Sequence, residues 1–404
     1  MTKPFPTDKL TPSYQSGGSM NSQKTRFVVM AAIFLAGSFL FAREVGTTGN
    51  TVVRVQDMPE YIASQSYIFV YSNKAMTKAA VRTRSENLAR HYEGTIRHTF
   101  GKAVRGFSAK MTADAARKLY EENPDIAYYE PNGVCYAIAK PSHPGHGGGD
   151  GGEPAQVTPW GITRINGGAA GNYCKAWIID TGIDLDNPDL NVDVTDSVIF
   201  AKGKSPDDDN GHGTHVAGTI AAIDNNIDVI GVAPGATVVA VKVLDRRGSG
   251  TWDDVIAGID YVAAHASSCD VANMSLGGSY SQAINDAVLN AAKTCAFAVA
   301  AGNDGADAAN DSPASVNAPN VYTISAIDQN DLLTSWSNWG VPPVDYAEPG
   351  LNILSLKKGG GTTTMSGTSM ATPHAVGLLL LGNIRTDGYT QADPGGDPHP
   401  IGVH

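Results

Sequence analysis

The sequence predicts an α/β protein, a parallel sheet with helices on both faces, preceded by a smaller α+β unit. From about residue 157, apolar runs ending in Gly, Asp or Asn alternate with helical stretches. The runs are "KAWIIDTG", "VVAVKVLD", "VANMSLGG", "AFAVAAGN" and "VYTISAID"; the helices include "WDDVIAGIDYVAAHA" and "SQAINDAVLNAAK". Near-continuous apolar strands suit a sheet covered on both faces, and helices between them supply the cover. Upstream, about residues 66–136 read strand, helix, strand, strand, helix, strand, which suggests a sheet covered by helices.

Taken in order, residues 27–42, "FVVMAAIFLAGSFLFA", follow Lys24 and Arg26 and read as an export signal ending at Ala42, with Met20 as a candidate start. The run is shorter than the roughly 20 residues of a membrane span, so residues 1–42 are expected to be removed and the product to be secreted and soluble. Residues 43–65 are a linker. In the unit at 66–138, "SYIFVYS", "IRHTF", "RGFSAKM" and "DIAYYEP" are strands, and "TKAAVRTRSENLARHY" is an amphipathic helix. A second helix, "TADAARKLYEEN", starts at an N-cap Thr112 and turns Ala116 and Leu119 to one face. Residues 139–155, "AKPSHPGHGGGDGGEPA", form a Pro/Gly-rich linker in which His143 and His146 read as solvated rather than metal-binding. The main domain fills 156–404, and its tail "TDGYTQADPGGDPHPIGVH" reads as an extended surface segment.

A formal charge of −11 argues against nucleic acid as a partner. Lys and Arg concentrate near residues 74–118 and Asp after about residue 180, so the two parts can attract each other. None of the four cysteines forms a CxxC pair. Cys174, Cys269 and Cys295 each precede a strand-like run, and a Cys269–Cys295 bridge is expected.

"IIDTG" ends at Asp180-Thr181-Gly182, the string that aspartic proteases use in pairs; it occurs once here. A partner appears in "DNGHGTHVAGTIAA", residues 209–222, where His212 opens an apolar helix. His212 and His215 lack the Glu of a HExxH metal site. In "MSGTSMATPHAVGLLLL", residues 365–381, Ser369 stands where a small-residue turn becomes a helix. Alone it reads equally as an N-cap. Together the three are the parts of an activated nucleophile: Ser369 attacks, His212 takes its proton and Asp180 orients the imidazole. Their order is Asp, His, Ser, and there is no GxSxG elbow, which disfavours a lipase or esterase.

With "IIDTGID", "GHGTHVAGT" and "SGTSMATPH", the sequence resembles the subtilisin-like and proteinase K-like serine endopeptidases, the subtilases, over about residues 156–382. The resemblance implies Asn303 as oxyanion donor beside the Ser369 N–H, and Ser275, Leu276, Gly277 and Gly302 as walls for an extended polypeptide substrate. Asp311 falls near the pocket base, where it either favours basic residues or simply faces water. A structural Ca²⁺ would take side chains of Gln156, Asp189 and Asn225 and carbonyls of Ile223, Ile227 and Val229; the alternative for Asp189 is a turn cap. A weaker site near Pro319, Val321 and Asp345 is similar to one in proteinase K. No catalytic cofactor is implied. The 66–138 unit resembles the family's ferredoxin-like inhibitory prodomain, whose tail would enter the active site and be cut between about Tyr136 and Ala155 to release a monomeric enzyme. A catalytically dead binding protein and an esterase are the alternatives.

Overall fold

The structure, a computed structural model, describes residues 65–141 and 156–404. The expected signal, almost all of the 43–65 linker, and His143 and His146 lie outside the described residues.

The upstream unit runs β1 (Ser66–Tyr71), α1 (Lys78–His91), β2 (Thr95–Phe100), β3 (Gly106–Lys110), α2 (Ala113–Glu122) and β4 (Ile126–Pro131). Its antiparallel sheet has the order β2-β3-β1-β4. Each helix starts at a threonine whose hydroxyl accepts a backbone N–H, Thr77 from Ala80 and Thr112 from Ala115, both at 3.2 Å. Such caps contribute about 1 kcal/mol each. Val81 and Leu88 of α1 and Leu119 of α2 bury against Phe69 and Phe107 on the sheet, whose rings stack at 4.9 Å.

The chain continues through two tail strands, β5 (Val134–Ala137) and β6 (Lys140–Pro141), into the main domain. There follow α3 (Trp160–Arg164), β7 (Ala176–Asp180), β8 (Asn191–Val192), β9 (Val198–Ile199), α4 (His212–Ala221) and β10 (Thr237–Lys242). Next come β11 (Ser249–Thr251), α5 (Trp252–His265), β12 (Val271–Met274), β13 (Leu276–Ser279), α6 (Gln282–Ala291) and β14 (Ala296–Ala300). The last elements are β15 (Asp311–Ser312), β16 (Val321–Ile327), β17 (Val344–Pro349), β18 (Ile353–Leu356), β19 (Thr362–Ser366), α7 (Thr368–Leu380), β20 (Arg385–Ala392) and β21 (Pro398–Val403).

The main sheet has ten strands in the order β20-β21-β17-β16-β14-β12-β7-β10-β8, with β9 also on β10. All its pairings are parallel except the terminal β20–β21 hairpin. Alternation along β7 sends Trp177 and Ile179 into one core, with α5 and α6, and Ile178 into the other, with α4 and α7. This two-faced burial is what the continuous apolar runs encode.

Two expectations are corrected. The disulfide joins Cys174 to Cys269, not Cys269 to Cys295. Val271 lies opposite Ala176 but also opposite Ala296, so counting back two residues aligns Cys174 with Cys269 and leaves Cys295 one residue out of step. One step turns a strand side chain to the other face, and Cys295 is a buried free thiol. The C-terminal tail is not an extended surface segment: β21 extends the sheet beside β17. Ser325 Oγ lies 2.8 Å from His399 Nδ1, and His399 Nε2 lies 3.1 Å from Asp393 Oδ2. All three residues are buried, so this second Ser–His–Asp chain ties the hairpin to β16 without access to substrate.

The upstream unit docks on α5 and α6. Arg97 Nε binds Asp253 Oδ2 at 2.6 Å, and its Nη2 lies 3.2 Å from Asp254 Oδ1, which also receives His98 Nε2 at 2.8 Å. The backbone N–H groups of Gly101, Lys102 and Ala103 donate to Asp260 Oδ1 at 3.2, 2.6 and 2.7 Å. The sheet and its β2–β3 turn therefore supply the positive side of this contact. Arginines of α1 and α2 pair within the upstream unit instead, Arg82 with Glu86, Arg84 with Asp125 and Arg117 with Glu121.

Candidate active site

Open parallel sheets collect functional groups beyond the carboxyl ends of their strands. Asp180 ends β7, Ser275 follows β12 and Asn303 lies just past β14. His212 and Ser369 open α4 and α7, which pack together on one face.

His212 Nδ1 donates to Asp180 Oδ1 at 2.8 Å, and both side chains are buried. Burial alone lowers the basicity of the imidazole; the charge and hydrogen bond of Asp180, with the charge of Asp208, outweigh it and hold His212 above the ordinary histidine value. His212 Nε2 is buried without a hydrogen-bond partner, so its lone pair is available to take a proton. Ser369 Oγ turns elsewhere: it donates to the Ser275 carbonyl at 2.9 Å and accepts the Ile138 N–H at 3.1 Å. Asp180 and His212 are thus joined, while the Ser369–His212 hydrogen bond is not made. His215, one turn along α4, bonds the Ile353 carbonyl at 3.0 Å, and burial pulls it down to about 3.

The reason Ser369 turns away is that the site is filled. Tail strand β5 lies antiparallel between β11 and β13, with Cys135 opposite Gly250, Tyr136 opposite Gly277 and Ala137 opposite Leu276. β6 continues the chain beside β19. Ile138 sits at the centre: Asn303 Nδ2 donates to its carbonyl at 2.8 Å. The orientation of that amide is fixed, because Asn303 Oδ1 accepts both the Thr368 N–H at 2.9 Å and the Thr368 hydroxyl at 3.0 Å. Gly367, at φ +155°, makes room; a Cβ there would lie 2.5 Å from the Ile138 carbonyl oxygen. Ser369 is fully buried beneath the tail.

The Ile138 side chain meets Gly277, where a Cβ would come within 2.8 Å of Ile138 Cδ1. The Ser275 hydroxyl donates to the Ser369 carbonyl at 2.8 Å. Gly302, at φ +113°, packs on Asn338, and Asn338 donates to Asp311 at 2.9 Å. Burial and the nearby Asp304 charge push Asp311 up to about 6.

The six proposed calcium ligands also gather. Gln156 Nε2 donates to the carbonyls of Ile223 at 2.6 Å and Val229 at 3.1 Å and lies 3.5 Å from Asn225 Oδ1. Asn225 Nδ2 donates to Asp189 Oδ1 at 2.8 Å. Ile227 enters through its N–H on Asn225 Oδ1 at 3.0 Å. At the weaker candidate site, Asp345 accepts the Thr323 N–H at 2.8 Å.

The sequence reading missed Asp208, Thr368 and Ile138. Asp208 was hidden in a run of three aspartates, Thr368 read as one of several small residues, and Ile138 becomes visible only when β5 pairs with β13.

Residues 175–393 match the model of the Subtilase family. A subtilisin-like protease of Coccidioides posadasii (strain C735) is 40% identical over 297 residues, covering 70% of this chain and 71% of the relative. The alkaline serine protease ver112 of Corniculantispora psalliotae is 37% identical over 300 residues, covering 70% and 72%. A solved cold adapted subtilisin-like serine proteinase is 38% identical, covers 55% of this chain and 84% of its own, and has a TM-score of 0.45. The chain belongs to the subtilase family and is a serine-type endopeptidase.

Proposed function

We propose that this protein is a secreted endopeptidase that cuts peptide bonds with Ser369 as nucleophile, His212 as general base, Asp180 as its orienting acid and Asn303 as oxyanion donor. It is made as a zymogen that cuts itself between Ile138 and Ala139. One observation carries the reading: the Ile138 carbonyl lies on Asn303 Nδ2 while the Ile138 N–H lies on Ser369 Oγ. Turning Oγ from the Ser275 carbonyl toward His212 Nε2 prepares the attack. The Ile138 carbonyl carbon then receives Oγ, and His212 takes the hydroxyl proton. Asn303 and the Ser369 N–H hold the oxyanion. His212 returns the proton to the Ala139 nitrogen as the peptide bond breaks, and water, activated the same way, releases Ile138 from Ser369. Main-chain pairing of β5 with β11 and β13 holds the cut tail in place, so it inhibits until removed. Ile138 against Gly277 favours an aliphatic residue before the cut over a basic one. N-terminal mass spectrometry of the mature enzyme is expected to give Ala139 as the first residue; a terminus elsewhere overturns the register. Fluorophosphonate labelling is expected to modify Ser369.

Calcium is proposed at Gln156, Asp189 and Asn225, with the carbonyls of Ile223, Ile227 and Val229. With the Gln156 and Asn225 amides turned so that their oxygens face the ion, the donors would all be oxygens, and Asp189 Oδ2 is buried without a partner. Burial pushes Asp189 up to about 6, against the hydrogen bond from Asn225. A carboxyl raised by folding costs stability as pH rises through that value, and a bound cation removes the cost. Chelation is therefore expected to lower Tm by about 5 °C or more, more at pH 8 than at pH 5, and Asp189→Asn to abolish the difference. Equal melting with and without chelator counts against the site.

A further inference from the structure

We infer, on the above reading of Asp180, His212 and Ser369, that Asp208 is a positioning residue of the hydrolytic site: its carboxylate clamps the end of β7, beside Asp180, to the first turn of α4, which carries His212. Asp208 is 1% exposed. Its Oδ1 accepts the Thr181 hydroxyl at 3.0 Å and the N–H groups of Asn210 and Gly211, each at 2.9 Å. Its Oδ2 accepts the Thr214 N–H at 3.0 Å and the Thr214 hydroxyl at 2.6 Å. These donors flank the reacting groups: Thr181 follows Asp180, Gly211 precedes His212, and Thr214 lies in the same helical turn. A ring closes through Thr181 Oγ1, which accepts the Gly213 N–H at 2.9 Å. There is no slack behind it, since a Cβ on Gly213 would lie 2.1 Å from the Gly182 carbonyl oxygen.

A carboxylate so placed fixes distance and also adds charge. It acts on His212 in the same direction as Asp180. The other ionisable groups around His212 are arranged differently. His215 lies on the same helix, Asp184 follows β7 and Lys358 lies between β18 and β19 beside Gly211. Asp209 is paired with Lys242 of β10 at 2.6 Å. Apart from Asp180 itself, Asp208 is the carboxylate among these neighbours that bonds both the β7 end, at Thr181, and the α4 start, at Thr214.

Asp208→Asn keeps the shape but removes the charge and part of the accepting capacity. Peptide anilide turnover, expressed per fluorophosphonate-titrated Ser369, is expected to fall about tenfold to a hundredfold at little-changed KM. The acid limb of kcat/KM should move to lower pH. In the Ser369→Ala precursor, the pH midpoint of the His212 ring proton, read by NMR, should move the same way; this readout needs no maturation. Thr181→Val, which removes one arm of the clamp, should lower kcat without moving that midpoint as far. Unchanged turnover per titrated site with unmoved midpoints overturns the inference, even if Asp208→Asn melts earlier. Failure of wild-type enzyme to label at Ser369 instead overturns the site reading itself.

Discussion

Replacing Ser369 by alanine is expected to leave the chain uncut at Ile138–Ala139 and to lower kcat by about a millionfold, a magnitude measured in subtilisin itself rather than obtained from these distances. The change removes two hydrogen bonds, from Oγ to the Ser275 carbonyl and from the Ile138 N–H to Oγ, each worth about 1 kcal/mol, so the fold should persist. What is lost is the atom that attacks. The precursor should accumulate with its tail still crossing the site, visible as an intact mass and as the loss of nearly all anilide hydrolysis. Maturation of the Ser369→Ala chain, expressed alone, to the same N terminus as wild type would sink self-cleavage. Residual hydrolysis above the uncatalysed rate is expected, because oxyanion stabilisation and binding survive without the nucleophile.

The second large effect concerns Asn303. Replacement by leucine or aspartate should lower kcat by about a hundredfold to a thousandfold, again a magnitude known from subtilisin, with KM little changed. The donor matters most once charge develops on the carbonyl oxygen, so the loss falls on the transition state. The two variants separate catalysis from folding. Leucine also strands the Thr368 N–H and hydroxyl, which both donate to Asn303 Oδ1; a buried unsatisfied group costs about 1–3 kcal/mol. Aspartate keeps that acceptor but replaces the Nδ2 donor with a carboxylate oxygen facing the oxyanion, so its loss of rate is catalytic rather than structural. Equal kcat in the aspartate variant and wild type would remove Asn303 from the mechanism.

Alternation and composition made much of this legible. The apolar runs, the strand-helix order of both units, and Asp180, His212 and Ser369 are local patterns: each motif sits where a strand ends or a helix begins, and short-range chemistry marks such places; Asn303 was implied by the family resemblance. Other features depend on register between distant strands. The Cys174–Cys269 bridge follows from how β7 and β12 align, and a one-residue step on the β14 side excludes Cys295. The tail that read as loose "DPGGDPHP" becomes a hairpin because His399 finds Ser325 and Asp393 in the core.

By itself, then, the sequence determined the class of fold, the residues proposed as reacting groups and the opposite charge bias of the upstream unit and the main domain. It could not decide which peptide bond lies over Ser369, which residue frames His212 from behind, or which face of the leader meets α5. Those depend on contacts between residues far apart in the chain. Such contacts are chosen by the pairing of β5 with β13 and by the capture of Asp260 on the β2–β3 turn, and no local pattern of side chains encodes them.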